Sequence, residues 1–199
     1  MIDLTAINSE KPYKKFIEHY KNAVLNNQKS IEAISISSFN KNTKEVESRF
    51  VNLKYIVNDE WIFFSNYKSN KARNFISHNQ ISALFYWNAI NVQIRIKAII
   101  RKSPRDFSDV HFMKRSLEKN ALAISSDQSM PIASYDHVVA NYNRVLSNKD
   151  SLSKRPDYWG GYSFTPYLFE FWEGNESRLN KRMIYIKKNS KWITSTLQP

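Results

Sequence analysis

From Val92 to Ile100 the sequence alternates without a break: Val92, Ile94, Ile96, Ala98 and Ile100 fall on one side, and Gln93, Arg95 and Lys97 on the other. A period of two sends successive side chains to opposite faces of a strand, so this segment belongs to a sheet with one dry face and one wet face. Similar segments flank it. IEAISISSF at 31–39, VESRFVNLKYIV at 46–57, WIFFSN at 61–66 and ISALFYW at 81–87 read as strands, with NKNTKE and Asn58-Asp59 as turns.

Helix signals appear in four places. Phe16, Ile17, Tyr20, Ala23 and Val24 predict an amphipathic helix over 12–28, the core of a helical segment spanning 1–30. Ser69 is placed to cap a short helix with Ala72, Phe75 and Ile76 on its inner face. Ser103-Pro104 opens a helix running to about Asn120, and Tyr135, Val138, Val139, Tyr142, Val145 and Leu146 stripe another. After the polar stretch SNKDSLSKRPD come GGYSF, YLFEFWE, RLNKRMIYI and KWITSTL, a β meander over 159–199 with a turn at Gly174-Asn175. The order predicts one mainly β domain over 1–199, a small α+β barrel with helices outside.

Several chemistries are hard to build from this chain. With only Gly160, Gly161 and Gly174 available, neither a P-loop nor a dinucleotide glycine turn can form, so any phosphate has to be held by side chains. Absence of cysteine removes thiol catalysis and thiolate metal sites and fits a reducing cytoplasm. His19, His78, His111 and His137 lack metal-ligand spacing, so no metal is expected. No serine sits in a glycine-flanked nucleophile elbow, and no window approaches the ~20 apolar residues of a membrane span. The excess of 30 Lys and Arg over 18 Asp and Glu favours anionic ligands in general. It is spread along the chain without a dense basic tract, so a nucleic-acid partner is not expected.

Basic residues on strands therefore draw the eye. Arg178, Asn180 and Arg182 fall at i, i+2 and i+4 of the strand predicted over 178–186, which puts them on one face roughly 7 Å apart in succession, beside Trp172. Two guanidiniums there can clamp an anion, although a solvated outer face has the same pattern. Arg49 and Lys54 differ by five positions, so a regular strand sends them to opposite sides unless a bulge or strand edge intervenes.

Several motifs occur together in one order. They are SRFVNLK at 48–54, FFSNYKSNKA at 63–72, Gln93, SSDQS at 125–129, WGGY at 159–162, EFWEG at 170–174, RLNKR at 178–182, Trp192 and the ending Leu197-Gln198-Pro199. In this the chain resembles the pyridoxamine 5'-phosphate oxidase family from about residue 31 to the C-terminus. The resemblance implies an FMN-binding split β-barrel, a homodimer with the flavin at the subunit interface, and a phosphorylated small-molecule substrate.

By position it implies FMN contacts from Arg49, Phe50, Val51, Asn52, Leu53, Lys54, Phe64, Ser65, Lys71, Gln93, Gln128, Ser129, Trp172 and Arg182. Substrate positions fall on Lys54, His111, Arg115, Lys119, Arg178 and Asn180, with Arg178 and Asn180 nearest the reacting carbon. Four residues depart from the family pattern. His111 stands in place of Tyr, Lys119 of Ser, Asn180 of His, and Asn70 of an Arg in the phosphate loop. His111, Arg115 and Lys119 at i, i+4 and i+8 share one face of the predicted helix. The implied activity is oxidation of pyridoxine or pyridoxamine 5'-phosphate with oxygen as acceptor. Close relatives in phenazine biosynthesis, whose FYW and LQP segments also look similar, suggest FMN with another substrate as the alternative. A non-catalytic binding protein is the reading from a different class.

Overall fold

The computed structural model describes the backbone of residues 1–199 and the side chains of all but 149 and 150. Strands β1 (Asp3–Ile7), β2 (Ala33–Asn40), β3 (Glu45–Asn58), β4 (Glu60–Asn66), β5 (Gln80–Trp87), β6 (Val92–Lys102), β7 (Trp159–Glu173), β8 (Lys181–Lys188) and β9 (Lys191–Leu197) form one sheet. Helices α1 (Lys11–Leu25), α2 (Asn70–Ser77), α3 (Arg105–Met113), α4 (Leu117–Ser125) and α5 (Tyr135–Ser147) surround it.

Pairing closes a ring of six strands. β3 pairs β2, β2 pairs β5, β5 pairs β6, β6 pairs β7, β7 pairs β4, and β4 returns to β3. Closure leaves the ring without free edges, and two of its strands change partners to admit the rest. β7 pairs β4 as far as Phe164 and β8 from Leu168 onward. Pro166 sits in the gap, where its missing N–H costs no ladder bond to either neighbour and the pairing with β6 shifts register at Lys97/Ala98. The two strands expected over GGYSF and YLFEFWE are therefore one continuous strand of 15 residues.

The alternation over 92–100 is borne out, since Val92, Ile94, Ile96, Ala98 and Ile100 are all buried. Aromatic rings fill the barrel: Trp61, Phe85, Phe164 and Phe169 meet there, and Phe16 of α1 plugs one mouth with its centroid 4.6 Å from that of Trp61. At α2, Ala72 and Phe75 are buried as expected, whereas Ile76 is 74% exposed. On α5 the apolar stripe is only partly covered, and Tyr135 is exposed.

Three boundaries differ from the sequence reading. α1 stops at Leu25, because Asn27 takes a left-handed φ of 56° and its chain turns away before residue 28. The segment 1–30 also carries β1, which runs parallel to β3 beside Tyr55, Val57 and Asn58. The helix expected from 103 to 120 is two helices. The first ends at Met113, and Ser116 caps the second, its side chain accepting from the Lys119 N–H.

Candidate active site

β4 is threaded between β3 and β7, and its alternation sends Trp61 and Phe63 inward while Phe64 faces out. Phe64 becomes the floor of an aromatic stack. The His111 ring lies parallel to it at 3.6 Å between centroids, with Trp159 at 5.3 Å. The stack is set by a close approach of backbone. Gly161 pairs with Phe64, and a Cβ at that glycine would lie 2.7 Å from Ser103 Oγ, 2.9 Å from Ser103 Cβ and 3.3 Å from the Phe64 ring. Gly161→Ala is expected to destabilise the fold by about 1–3 kcal/mol through overpacking. Thermal unfolding measures this, and an unchanged Tm refutes the close-approach argument.

β3 brings the first cation. Leu53 and Ile56 both lie in the core with Lys54 and Tyr55 between them, both half-buried outside it, so the strand slips phase by one residue. Its pairing with β4 shifts register at that step, between Leu53 and Tyr55, which marks a β-bulge. The bulge lies after Lys54, so Arg49 and Lys54 do fall on opposite sides. They line two adjoining clefts that share Lys71. The one containing Lys54, about 300 Å³, is also lined by His111, Arg115, Lys119 and Gln128, and no carboxylate among the described residues lines it.

Among the described residues none of the four cations lining this cleft, Lys54, Lys71, Arg115 and Lys119, forms an ion pair, and two of them are largely buried. Lys71, from the first turn of α2, is 9% exposed, and its Nζ reaches only Ser69 Oγ at 3.3 Å and Gln128 Oε1 at 3.2 Å. Burial, and then the Arg49 charge, push its pKa down to about 8. Arg115 lies over the Trp159 ring at 4.3 Å and donates from Nη2 to the Lys119 carbonyl at 2.8 Å, while its buried Nη1 has no partner. Desolvation holds its pKa near 10. An ionised group taken from water without a counter-charge is costly, so a cleft assembled this way is electrostatically suited to an anion. Phosphate is such an anion, and an aromatic wall beside it suits a flat ring system.

His111 accompanies them in neutral form. Burial, followed by the charges of Arg115, Lys54, Lys114 and Lys119, lowers its pKa to about 4. Its Nδ1 lies 2.8 Å from the Tyr55 hydroxyl. Because α3 ends at Met113, His111, Arg115 and Lys119 do not share one helix face; the break at Ser116 folds the segment back and brings them to the same cleft.

Other expected residues fall around this cleft. Phe50, Val51, Asn52 and Ser65 line it, whereas Leu53 is fully buried in the core. Ser65 Oγ donates to Gln128 Oε1 at 3.2 Å. Arg49 donates to Ser38 Oγ at 2.6 Å and pairs with Glu47 at 2.7 Å, and its cleft includes Ser129, which has a left-handed φ of 74°.

A second group lies elsewhere on the chain. Gln93, Trp172 and Arg182 stand side by side in cross-strand register on β6, β7 and β8. Arg182 is fixed by the buried carboxylate of Glu170, at 2.7 and 3.0 Å, and Arg95 holds the other oxygen at 2.8 Å. Arg178 and Asn180 are not on the strand, which begins at Lys181. Arg178 is exposed in a left-handed conformation, φ 61°, and Asn180 Oδ1 accepts the Asn175 N–H at 3.0 Å. The i, i+2, i+4 face therefore does not form, because the turn after Gly174 is long enough to use Asn180 as its cap. Tyr55 and Glu170 were not singled out from sequence. The first depends on the bulge, and the second on a register that only the folded sheet displays.

The C-terminal stretch 159–199 matches the family model described as the pyridoxine 5'-phosphate oxidase C-terminal dimerisation region. A solved structure of PhzG from Burkholderia lata, in complex with tetrahydrophenazine-1-carboxylic acid, superposes with a TM-score of 0.89 at 24% identity, over 95% of this chain and 93% of that one. A pyridoxamine 5'-phosphate oxidase-related, FMN binding protein from Nostoc punctiforme gives 0.76 at 11% identity, over 96% and 99%. The fold is that of the FMN-binding split β-barrels, and the class is the FMN-dependent oxidoreductases. Pyridoxine/pyridoxamine 5'-phosphate oxidases of Hydrogenovibrio crunogenus and Haemophilus influenzae are 33% and 34% identical to this chain. The first alignment covers 94% of this chain and 88% of the relative, the second 96% and 90%. The chain belongs to the pyridoxine/pyridoxamine 5'-phosphate oxidase family.

Proposed function

We propose that this protein oxidises pyridoxine or pyridoxamine 5'-phosphate as an FMN-dependent homodimer. The observation that carries this reading is the pair of largely buried cations, Lys71 and Arg115, that form no ion pair among the described residues, in a cleft walled by Phe64 and Trp159. Lys71 and Arg49, with Ser129 beside them, hold the FMN phosphate; Ser65 and Gln128 supply hydrogen bonds next to it. Lys54, Arg115, Lys119 and His111 hold the substrate phosphate. Gln93, Trp172 and Arg182 come to the flavin from the partner subunit, with Arg178 and Asn180 on the adjoining turn near the reacting carbon.

FMN, held by the residues named above, would supply the redox chemistry, as acceptor of a hydride from the substrate's C4' carbon with oxygen as the final oxidant, reduced to hydrogen peroxide. The chain's own contribution is orientation and charge. Cations fix the phosphate ends of cofactor and substrate, and the aromatic wall limits water at one side of the cleft. One observation favours a second reading, in which FMN is kept and the substrate differs. Asn180 is engaged as a turn cap and carries no titratable proton near neutral pH.

An absorption spectrum of the purified protein, followed by anaerobic addition of pyridoxine 5'-phosphate, tests both. A yellow protein that bleaches supports the first reading. A yellow protein that neither pyridoxine nor pyridoxamine 5'-phosphate bleaches supports the second, and a colourless protein that ignores added FMN overturns both. No helix among the described residues is long and apolar enough to cross a membrane. With no cysteine in the chain, we place this activity in the cytoplasm.

A further inference from the structure

His111 makes one hydrogen bond among the described residues, to the Tyr55 hydroxyl, and its ring is clamped flat on Phe64. Tyr55 is itself held edge-on, at 5.4 Å from Phe107 and 5.4 Å from His111, with interplanar angles of 79° and 86°. The geometry is rigid on both sides, so the polarity of this one bond decides what the rest of the imidazole can do. A neutral imidazole carries its proton on one nitrogen only, and the hydrogen bond at the other selects which.

If Tyr55 donates to Nδ1, then Nε2 keeps the proton and becomes a donor in a cleft that also contains Lys54, Arg115 and Lys119. If Tyr55 accepts instead, Nε2 offers a lone pair, which repels an anion. Burial and the charge of Asp3 raise the Tyr55 pKa, so the hydroxyl keeps its proton and is available to donate.

We propose that Tyr55 is a positioning residue: its hydroxyl donates to His111 Nδ1 and fixes the tautomer whose Nε2–H donates to the anion gripped by Lys54, Arg115 and Lys119. The inference rests on the reading that this cleft takes a phosphate, and it deepens that reading by naming how the pocket gains a donor without another charge. A charged His111 would add a fifth full cation to a cleft already lined by Lys54, Lys71, Arg115 and Lys119 and would raise the cost of the empty cleft. A neutral N–H adds a directional bond without that repulsion.

The test uses FMN-loaded protein, ¹⁵N-labelled at histidine, with inorganic phosphate as the probe. The His111 signal is assigned by its loss in His111→Gln. Wild type is expected to show His111 neutral at pH 7 with the proton on Nε2, and phosphate is expected to shift that signal. In Tyr55→Phe, which keeps the ring and removes the donor, His111 becomes a mixture of tautomers. KM for pyridoxine 5'-phosphate then rises roughly fivefold to tenfold, with kcat within about twofold. An Nδ1–H tautomer in wild type, or a Tyr55→Phe protein with unchanged tautomer and KM, overturns the inference and leaves the assignment of the cleft standing. Phosphate that leaves the wild-type His111 signal unmoved overturns both.

Discussion

Lys71→Met is expected to weaken FMN binding about 30–100-fold and, at the same time, to raise the Tm of the FMN-free protein. Both effects come from one fact: a nearly buried ammonium is hydrogen-bonded to two neutral oxygens and, among the described residues, forms no ion pair, Glu47 in the adjoining cleft only partly offsetting its burial. Charge-assisted bonds to a phosphate contribute about 1.5–3 kcal/mol each, and about 1.4 kcal/mol is a factor of ten, which gives the first magnitude. Without the cofactor the same charge is a burden, and methionine fills the space without it. The pH dependence has a definite sign. The folded pKa, about 8, lies below the ordinary lysine value of 10.5, so between those values the unfolded chain holds more protons. Stability of the FMN-free protein therefore rises with pH across that window, and the rise diminishes in the methionine variant. Fluorescence titration with FMN and thermal unfolding measure the two effects. A variant that binds FMN as tightly as wild type removes Lys71 from the site.

Arg115→Met is expected to lower kcat/KM for pyridoxine 5'-phosphate by about 10–100-fold while FMN affinity stays within about twofold. The guanidinium is already placed, packed on Trp159 and tied to the Lys119 carbonyl, so little ordering is lost when an anion docks. Its unpartnered Nη1 is the donor that gains most. Steady-state kinetics beside an FMN titration separates the roles. Loss of flavin with an intact fold shows that Arg115 serves the cofactor instead, and unchanged kinetics shows that it serves neither.

Much of the architecture was legible because it depends on local periodicity. The β6 alternation and the long β3 strand follow from single-strand patterns, and both are present. The order of motifs likewise located the cations that meet in the cleft. What escaped depends on partners distant in sequence. β7 looked like two strands, GGYSF and YLFEFWE, and the exchange of β4 for β8 around Pro166 lets the chain continue as one. Arg178 and Asn180 looked like a strand face because their spacing is even, yet the Asn175 amide claims the Asn180 side chain first. Tyr55 drew no attention in the sequence, because only the extra residue in β3 turns it toward His111. His111, Arg115 and Lys119 were correctly grouped on a wrong premise, a continuous helix that Ser116 interrupts.

The unbroken run of β7 acts as a spacer. Trp159 stands at one end with the cation cleft, and Trp172 near the other with Gln93 and Arg182, separated by a contour of roughly 40 Å along the strand. On the proposed pairing, each copy lends its far end to the other's cleft, so occupancy by flavin and association of the chains form a single coupled equilibrium. Dilution then sheds colour as well as partner, and added FMN drives the chains back together.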